Sequence, residues 1–190
     1  MGLRMRVAVN LSMHQLRQED LVPRIRRSLD ANRVDPSLLT FEITESVAME
    51  DTQATMRSFG HLARIGASLS IDDFGTGYSS LAYLRKLPAR QLKIDRGFVA
   101  DIEHSSDALA VVDAVIKLAH ALGLKVVAEG VETENQRDIL LGLRCDELQG
   151  YLFAKPMPAK MLTLWAMDDD SHDIEFRHSL FQHQFSNSVQ

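Results

Sequence analysis

Short apolar runs alternate along this chain with longer segments in which apolar residues recur every three or four positions. The short runs are rich in β-branched residues, which is typical of strands. In one of them, Phe41 and Ile43 alternate with polar residues, so one face of that strand is expected to be buried. The predicted strands cover residues 6–10, 40–45, 67–71, 91–95, 124–129 and 147–150.

The longer segments predict amphipathic helices. In the first of them Leu21, Ile25 and Leu29 recur at a spacing of four, which places them on one helix face. Gly66 and Pro88 follow the next two segments, where residues that stop helices are expected. The predicted helices cover residues 19–31, 52–65, 79–87, 105–122, 134–143 and 158–167. Regular alternation of strand and helix predicts parallel βαβ units with right-handed crossovers.

A polar residue stands at or just beyond the end of every predicted strand. Side chains at the carboxyl ends of parallel strands meet at one rim, where α/β folds place their chemistry. One such residue alone would be an ordinary cap or a surface lysine, but six in matching positions indicate a functional site. The six residues are Asn10, Glu42, Asp72, Lys93, Glu129 and Gln149.

The most informative segment begins with two adjacent carboxylates, Asp72 and Asp73, and continues into a loop with Gly75 and Gly77. Two neighbouring negative charges are costly unless a cation neutralises them, and oxygen ligands of this kind suit Mg²⁺ or Mn²⁺. The glycines permit a tight loop over a ligand. The alternative is that the aspartates cap the following helix, and this segment alone does not decide between the two.

The number of repeating units predicts an incomplete barrel. About six strand–helix units are recognisable, whereas a closed TIM barrel has eight. We therefore expect an α/β, TIM-like barrel with a gap beside the first strand, near Val7 to Asn10. An exposed parallel edge strand needs cover from another domain or from a second copy of the chain.

Composition and charge narrow the class of protein. The chain has 190 residues, 45% of them hydrophobic and 25% charged, which is ordinary for one globular domain. A formal charge of −5 argues against binding a nucleic-acid polymer, and the absence of a long apolar run argues against membrane insertion. Cys145, the single cysteine, excludes an internal disulfide and is expected to be a small buried side chain. We predict a cytoplasmic location.

The last part of the chain changes character. Residues 168–190 open with three aspartates and then mix histidines with phenylalanines. We expect one partial barrel domain over residues 1–167 and a C-terminal extension over 168–190, helical or disordered. A metal-binding tail is the less favoured alternative.

Taken together, six segments resemble the EAL-domain family of cyclic di-GMP phosphodiesterases, in family order and over about residues 6–166. They are Asn10-Leu11-Ser12, Phe41 to Ser46, Asp72 to Leu81, Lys93 to Arg96, Ala128 to Glu132 and Gln149 to Pro156. The resemblance implies a TIM-like barrel with one irregular strand and two Mg²⁺ or Mn²⁺ ions. It also implies that cyclic di-GMP is the bound partner and is opened to linear pGpG.

The resemblance implies a metal-ligand set. Asn10, Glu42 and Asp72 look like ligands of the first metal, and Asp73 looks like a ligand of the second. Phosphodiester hydrolysis needs an oxygen nucleophile and charge neutralisation, and two carboxylate-bound cations supply both. A ligand set of carboxylates and an amide without histidine favours Mg²⁺ or Mn²⁺ over zinc.

The resemblance also implies roles around the metals. Lys93 would hold and polarise the attacking water, and Glu129 would be a general base or a partner of the second metal. Gln149 would lie near the water and the substrate, and Asp95 beside the metal and Lys93. Glu45 resembles the glutamate that anchors the loop which couples metal binding to dimerisation in the family. The anchored loop includes Gly75, Thr76 and Gly77.

One part of the family pattern has no counterpart in this sequence. The Glu-Ala-Leu signature, whose glutamate is a metal ligand, would precede Arg6 and is absent. We therefore expect weak or no phosphodiesterase activity from this chain alone. The alternative is a degenerate module that binds cyclic di-GMP or a protein partner without turnover. A glycosidase is disfavoured, because adjacent Asp72 and Asp73 cannot flank a sugar from opposite sides.

Overall fold

A computed structural model of the chain describes residues 5–50, 53–75, 77 and 81–167, without the side chain of residue 167. Predictions for Thr76 and for residues 168–190 lie outside the described residues. The chain divides into two compact units, one ending at Leu152 and one beginning at Phe153. The second unit contains helix α9, Ala159–Met167. A domain boundary after residue 167 stays a prediction.

The first unit is built on one sheet of six parallel strands. Their order in the sheet is their order in the chain, β1 to β6, which confirms the predicted succession of parallel units. The strands are β1 Val7–Asn10, β2 Leu39–Thr44, β3 Ser68–Phe74, β4 Gln91–Ile94, β5 Lys125–Glu129 and β6 Glu147–Gln149.

Helices connect successive strands. The long ones agree with the predicted segments, but single-turn helices after β1, β2 and β4 were not predicted, because one turn is too short to show a period. Glu45, predicted as the last residue of a strand, instead begins α3. The first-unit helices are α1 Met13–Leu16, α2 Leu21–Asn32, α3 Glu45–Ala48, α4 Gln53–Arg64, α5 Leu81–Leu84, α6 Arg96–Ala100, α7 Ser106–Ala121 and α8 Glu134–Gly142, with a 3₁₀ turn at Pro36–Leu38.

The two faces of the sheet differ in polarity, as the alternation in β2 predicts. One face carries buried apolar residues, such as Ile43, Ile71 and Leu92, which form the core with helix residues that include Phe59 and Ile116. The other face carries polar side chains. Its members in β2 to β5 include Thr40, Glu42, Ser70, Asp72, Gln91, Lys93 and Glu129.

Side chains from opposite edges of the sheet meet, which shows that it curls. Arg6 lies just before β1 and Glu147 begins β6, yet their Nη2 and Oε1 atoms are 2.6 Å apart. Gln91 of β4 donates a further hydrogen bond of 3.1 Å to the same carboxylate. The polar face therefore lines the inside of a partial barrel. This agrees with the predicted TIM-like fold of about six units.

Strand β1 is an exposed edge. Within the part of the chain that the structure describes, it pairs with β2 only, and both Val7 and Val9 are exposed. The edge expected near Val7 to Asn10 is therefore present. None of the helices described here combines the length and the apolar character that crossing a membrane requires.

Candidate active site

The structure brings the six strand-end residues to one end of the sheet. Asn10, Glu129 and Gln149 are the last residues of β1, β5 and β6. Asn10 is in register with Glu42, and Glu129 is in register with Gln149. Because all strands are parallel, these positions share the carboxyl-terminal rim of the partial barrel.

Lys93 lies at the centre of this rim. Its Nζ atom is 2.6 Å from Glu129 Oε1, 2.9 Å from Glu42 Oε1 and 3.2 Å from Asp72 Oδ1. The lysine side chain is only 4% exposed. Burial by itself would lower the pKa of Lys93, but its hydrogen bonds to Glu129 and Glu42 outweigh burial and raise that pKa. The ammonium group is therefore held in its charged form.

The carboxylates outnumber the one lysine. Burial raises the pKa of Glu129, against the opposing effect of Lys93. Burial also raises the pKa of Asp73, and the negative charges of Asp72 and Asp95 raise it further. The rim thus holds more negative charge than Lys93 neutralises. A bound cation would relieve that excess.

Three of the carboxylates fit a divalent cation. Asp72, Asp73 and Glu129 each offer an oxygen, and these oxygens lie within 4.8 Å of one another. Carboxylate oxygens are the ligands that Mg²⁺ and Mn²⁺ prefer. The resemblance assigns Asp72 and Asp73 to different metals, whereas here both are within reach of a single ion.

An irregularity in β3 brings the two aspartates together. Consecutive side chains of a regular strand point to opposite faces, which would separate Asp72 from Asp73. Pairing between β3 and β4 shifts register between Ile71 and Phe74, and Asp73 adopts a left-handed φ of 54°. The Asp73 N–H donates to Asp72 Oδ1 at 3.0 Å. The prediction that the strand ends at Ile71 is wrong, because pairing resumes at Phe74.

The turn after β3 is held by Glu45 of α3. Glu45 Oε2 accepts hydrogen bonds from the N–H groups of Gly75, at 3.0 Å, and Gly77, at 3.2 Å. Glu45 is buried, and Gly75 has a φ of 101°, a conformation that side chains disfavour. Glu45 therefore contacts the loop that it was expected to anchor.

Asp95 lies beside the site as the N-cap of α6. Its Oδ1 accepts a 2.8 Å hydrogen bond from the Gly97 N–H. The sequence analysis did not identify Phe98, which lies on the same helix. The ring of Phe98 contains the atoms nearest to the position that a Cβ atom on Gly75 would occupy. A one-turn helix gives no periodic signal that would have revealed it.

Residues 2–156 of this chain match the family model of the EAL domain. The chain belongs to the EAL domain family. It is 50% identical over 156 residues to the bifunctional diguanylate cyclase/cyclic di-GMP phosphodiesterase MucR of Pseudomonas aeruginosa. That match covers 82% of this chain but 23% of MucR, so this EAL chain spans about a quarter of that relative.

Solved structures of EAL proteins share the fold. The chain superposes on the PaMucR phosphodiesterase in complex with c-di-GMP with a TM-score of 0.79 and 50% identity. This match covers 83% of our chain and 64% of that one. The manganese/cy-diGMP complex of Klebsiella pneumoniae BlrP1 matches with a TM-score of 0.74 and 34% identity, over 80% of our chain and 39% of its own. A metal ion in this relative is consistent with divalent metal dependence in the family.

Proposed function

We propose that this EAL chain belongs to a phosphodiesterase that hydrolyses cyclic di-GMP to linear pGpG with two divalent cations, Mg²⁺ or Mn²⁺. The observation that carries the proposal is the buried Lys93, surrounded by Glu42, Asp72 and Glu129 at one rim. Cyclic di-GMP is the inferred substrate, because the relative MucR is a cyclic di-GMP phosphodiesterase and the PaMucR structure is a complex with c-di-GMP.

The carboxylates provide the cation sites. Asp72 and Asp73 would hold one cation with Glu129 close to it, because the oxygens of all three already converge. Asn10 and Glu42, which are neighbours in register, would contribute ligands to the second cation. Bound cations would polarise the phosphodiester and neutralise the charge that develops as its bond breaks.

Lys93 and Glu129 perform the proton and hydrogen-bond chemistry. The charged Lys93 would exchange two of its contacts with the surrounding carboxylates for hydrogen bonds to the attacking water and to a phosphoryl oxygen, which would stabilise negative charge on both. Glu129 accepts the proton of the water, a role that suits a carboxylate with a raised pKa. The water oxygen bonds to phosphorus, the bond from phosphorus to the 3′ oxygen breaks, and that oxygen takes up a proton.

Residues at the outer rim would contact the substrate. Gln149 and Asn10 are exposed at the ends of β6 and β1, so they can reach a ligand lying across the rim. Asp95 caps α6 through the Gly97 N–H, and Glu45 fixes the turn at Gly75. Each of these groups positions the reacting centre without taking the proton.

A binding module without turnover is the second candidate. The exposed edge of β1 favours it, because Asn10 has a strand neighbour on only one side among the described residues. We propose that a second copy of the chain or another domain covers this edge in the cell. We also propose that the protein is located in the cytoplasm. On its own, the chain would then have weak or no activity.

The test is Mn²⁺-dependent formation of pGpG from cyclic di-GMP, followed by chromatography, with binding measured separately in Ca²⁺. Glu129→Gln should abolish turnover and retain binding, whereas Glu134→Gln, at an exposed site on α8, should change neither. Adding a segment with the Glu-Ala-Leu signature ahead of the chain should raise turnover. Binding without turnover in both forms would support the second candidate, and absence of binding would refute both.

A further inference from the structure

The ring of Phe98 lies directly against the turn that follows the two aspartates. A Cβ atom built on Gly75 would be 2.8 Å from Phe98 Cε2 and 3.2 Å from Cζ. The three atoms nearest to that position all belong to this ring. The Gly75 backbone and the edge of the ring are therefore packed together without space for another group.

Glu45 holds the same turn through hydrogen bonds. Its carboxylate accepts the N–H groups of Gly75 and Gly77. A carboxylate fixes where these N–H groups point, and an aromatic ring limits where the Cα atom can move. Gly75 is thus restrained by one polar and one apolar contact, each from a different helix.

Helix α6 fixes the position of the Phe98 backbone and therefore of its ring. The helix begins directly after β4, and Asp95 caps it through the Gly97 N–H. Val99, the next residue after Phe98, is completely buried and ties the helix to the core. One helical turn therefore places the charge of Asp95 near Asp73 and the ring of Phe98 against Gly75.

Asp73 needs such support because its backbone is strained. A residue other than glycine rarely adopts a φ of 54°, so the surroundings must hold Asp73 there. Only Phe74 separates Asp73 from Gly75. Movement of Gly75 would let Asp73 relax toward a regular strand, in which its carboxylate would turn away from Asp72.

We propose that Phe98 is a positioning residue, which fixes the turn at Gly75 and thereby keeps the Asp73 carboxylate beside those of Asp72 and Glu129. The inference rests on the proposed function, because it concerns the affinity of this carboxylate group for a divalent cation. The ring of Phe98 has no atom that could ligate a cation. It acts through the backbone of residues 73–75.

The experiment compares Phe98→Ala, Phe98→Leu and Val99→Ala in the full chain. Mn²⁺ binding is followed by the loss of the electron paramagnetic resonance signal of free Mn²⁺, and stability by thermal unfolding. Phe98→Ala should raise the dissociation constant for Mn²⁺ about tenfold, and Phe98→Leu about threefold. Val99→Ala should lower the unfolding temperature and leave Mn²⁺ affinity unchanged. If Phe98→Ala does not fold, Phe98→Leu still decides the result.

A second measurement needs no metal. In the metal-free chain, under conditions where every variant is folded, Phe98→Ala should speed hydrogen exchange at the N–H groups of Gly75 and Gly77, and Val99→Ala should not. Equal effects of the Phe98 and Val99 variants on Mn²⁺ affinity would overturn the inference. So would an unchanged affinity in Phe98→Ala beside normal wild-type binding. A wild-type chain without Mn²⁺ binding would instead contradict the proposed function as well.

Discussion

Replacing Lys93 with Met should strongly destabilise the protein. Met has a similar length and keeps the packing of the apolar part of the side chain, so the change removes mainly the charge. Glu42, Asp72 and Glu129 would then lose the one ammonium group that contacts all three. Their mutual repulsion would be left without compensation at a largely buried site.

The magnitude follows from burial. Removing one partner of a buried ion pair typically costs about 3–5 kcal/mol, and Lys93 is 4% exposed with three partners. For a chain of this size each kcal/mol lowers the unfolding temperature by about 2–4 °C. We therefore expect Lys93→Met to lower the unfolding temperature by about 10 °C.

Lys117→Met is the matched control. Lys117 also forms a 2.6 Å ion pair, with Asp113, but its side chain is 74% exposed. An exposed pair of this kind contributes only about 0.5 kcal/mol, so its loss should shift the unfolding temperature by about 1 °C. Thermal unfolding followed by circular dichroism measures both variants under the same conditions.

The pH dependence has a defined sign. Because folding raises the pKa of Lys93 above its ordinary value of 10.5, its contribution to stability is complete below that pH and is lost as pH rises through the folded value. The difference in stability between wild type and Lys93→Met should therefore be constant between about pH 7 and pH 10 and should shrink above pH 10.

Excess Mn²⁺ should restore part of the lost stability in the variant, since a cation can replace the ammonium charge. Equal shifts for the Lys93 and Lys117 variants would refute this account of the rim.

Two further predictions concern the scaffold. Gly150→Ala should destabilise the protein by more than about 3 kcal/mol in chemical denaturation, because the added Cβ would lie 2.1 Å from the backbone oxygen of Val131. The control is Gly60→Ala in α4, where the added Cβ would have no atom within 4 Å apart from its chain neighbours and its own helix backbone. This variant should stabilise the protein by about 1 kcal/mol, and destabilisation would contradict the packing. Cys145 should not react with a thiol reagent at neutral pH until the chain unfolds, because burial raises its pKa to about 12, and rapid reaction in the folded state would show that it is accessible.

The sequence determined the order of the elements and the chemistry of the rim. Alternating short apolar runs and amphipathic segments are local patterns, so they predict six parallel strands with helices between them without knowledge of any long-range contact. The polar residue at the end of each strand follows from the same register. This is why Glu42, Lys93 and Glu129 could be expected at a common rim before any contact between them was known.

Only the tertiary structure decided how these residues meet. The shift that puts Asp72 and Asp73 side by side depends on the pairing of β3 with β4, which the residues of β3 alone do not encode. The contact of Phe98 with Gly75 likewise joins two segments that the chain order keeps apart. Periodicity reports which face of its own element a residue occupies, whereas curvature, register shifts and backbone strain arise from the packing of one element against another.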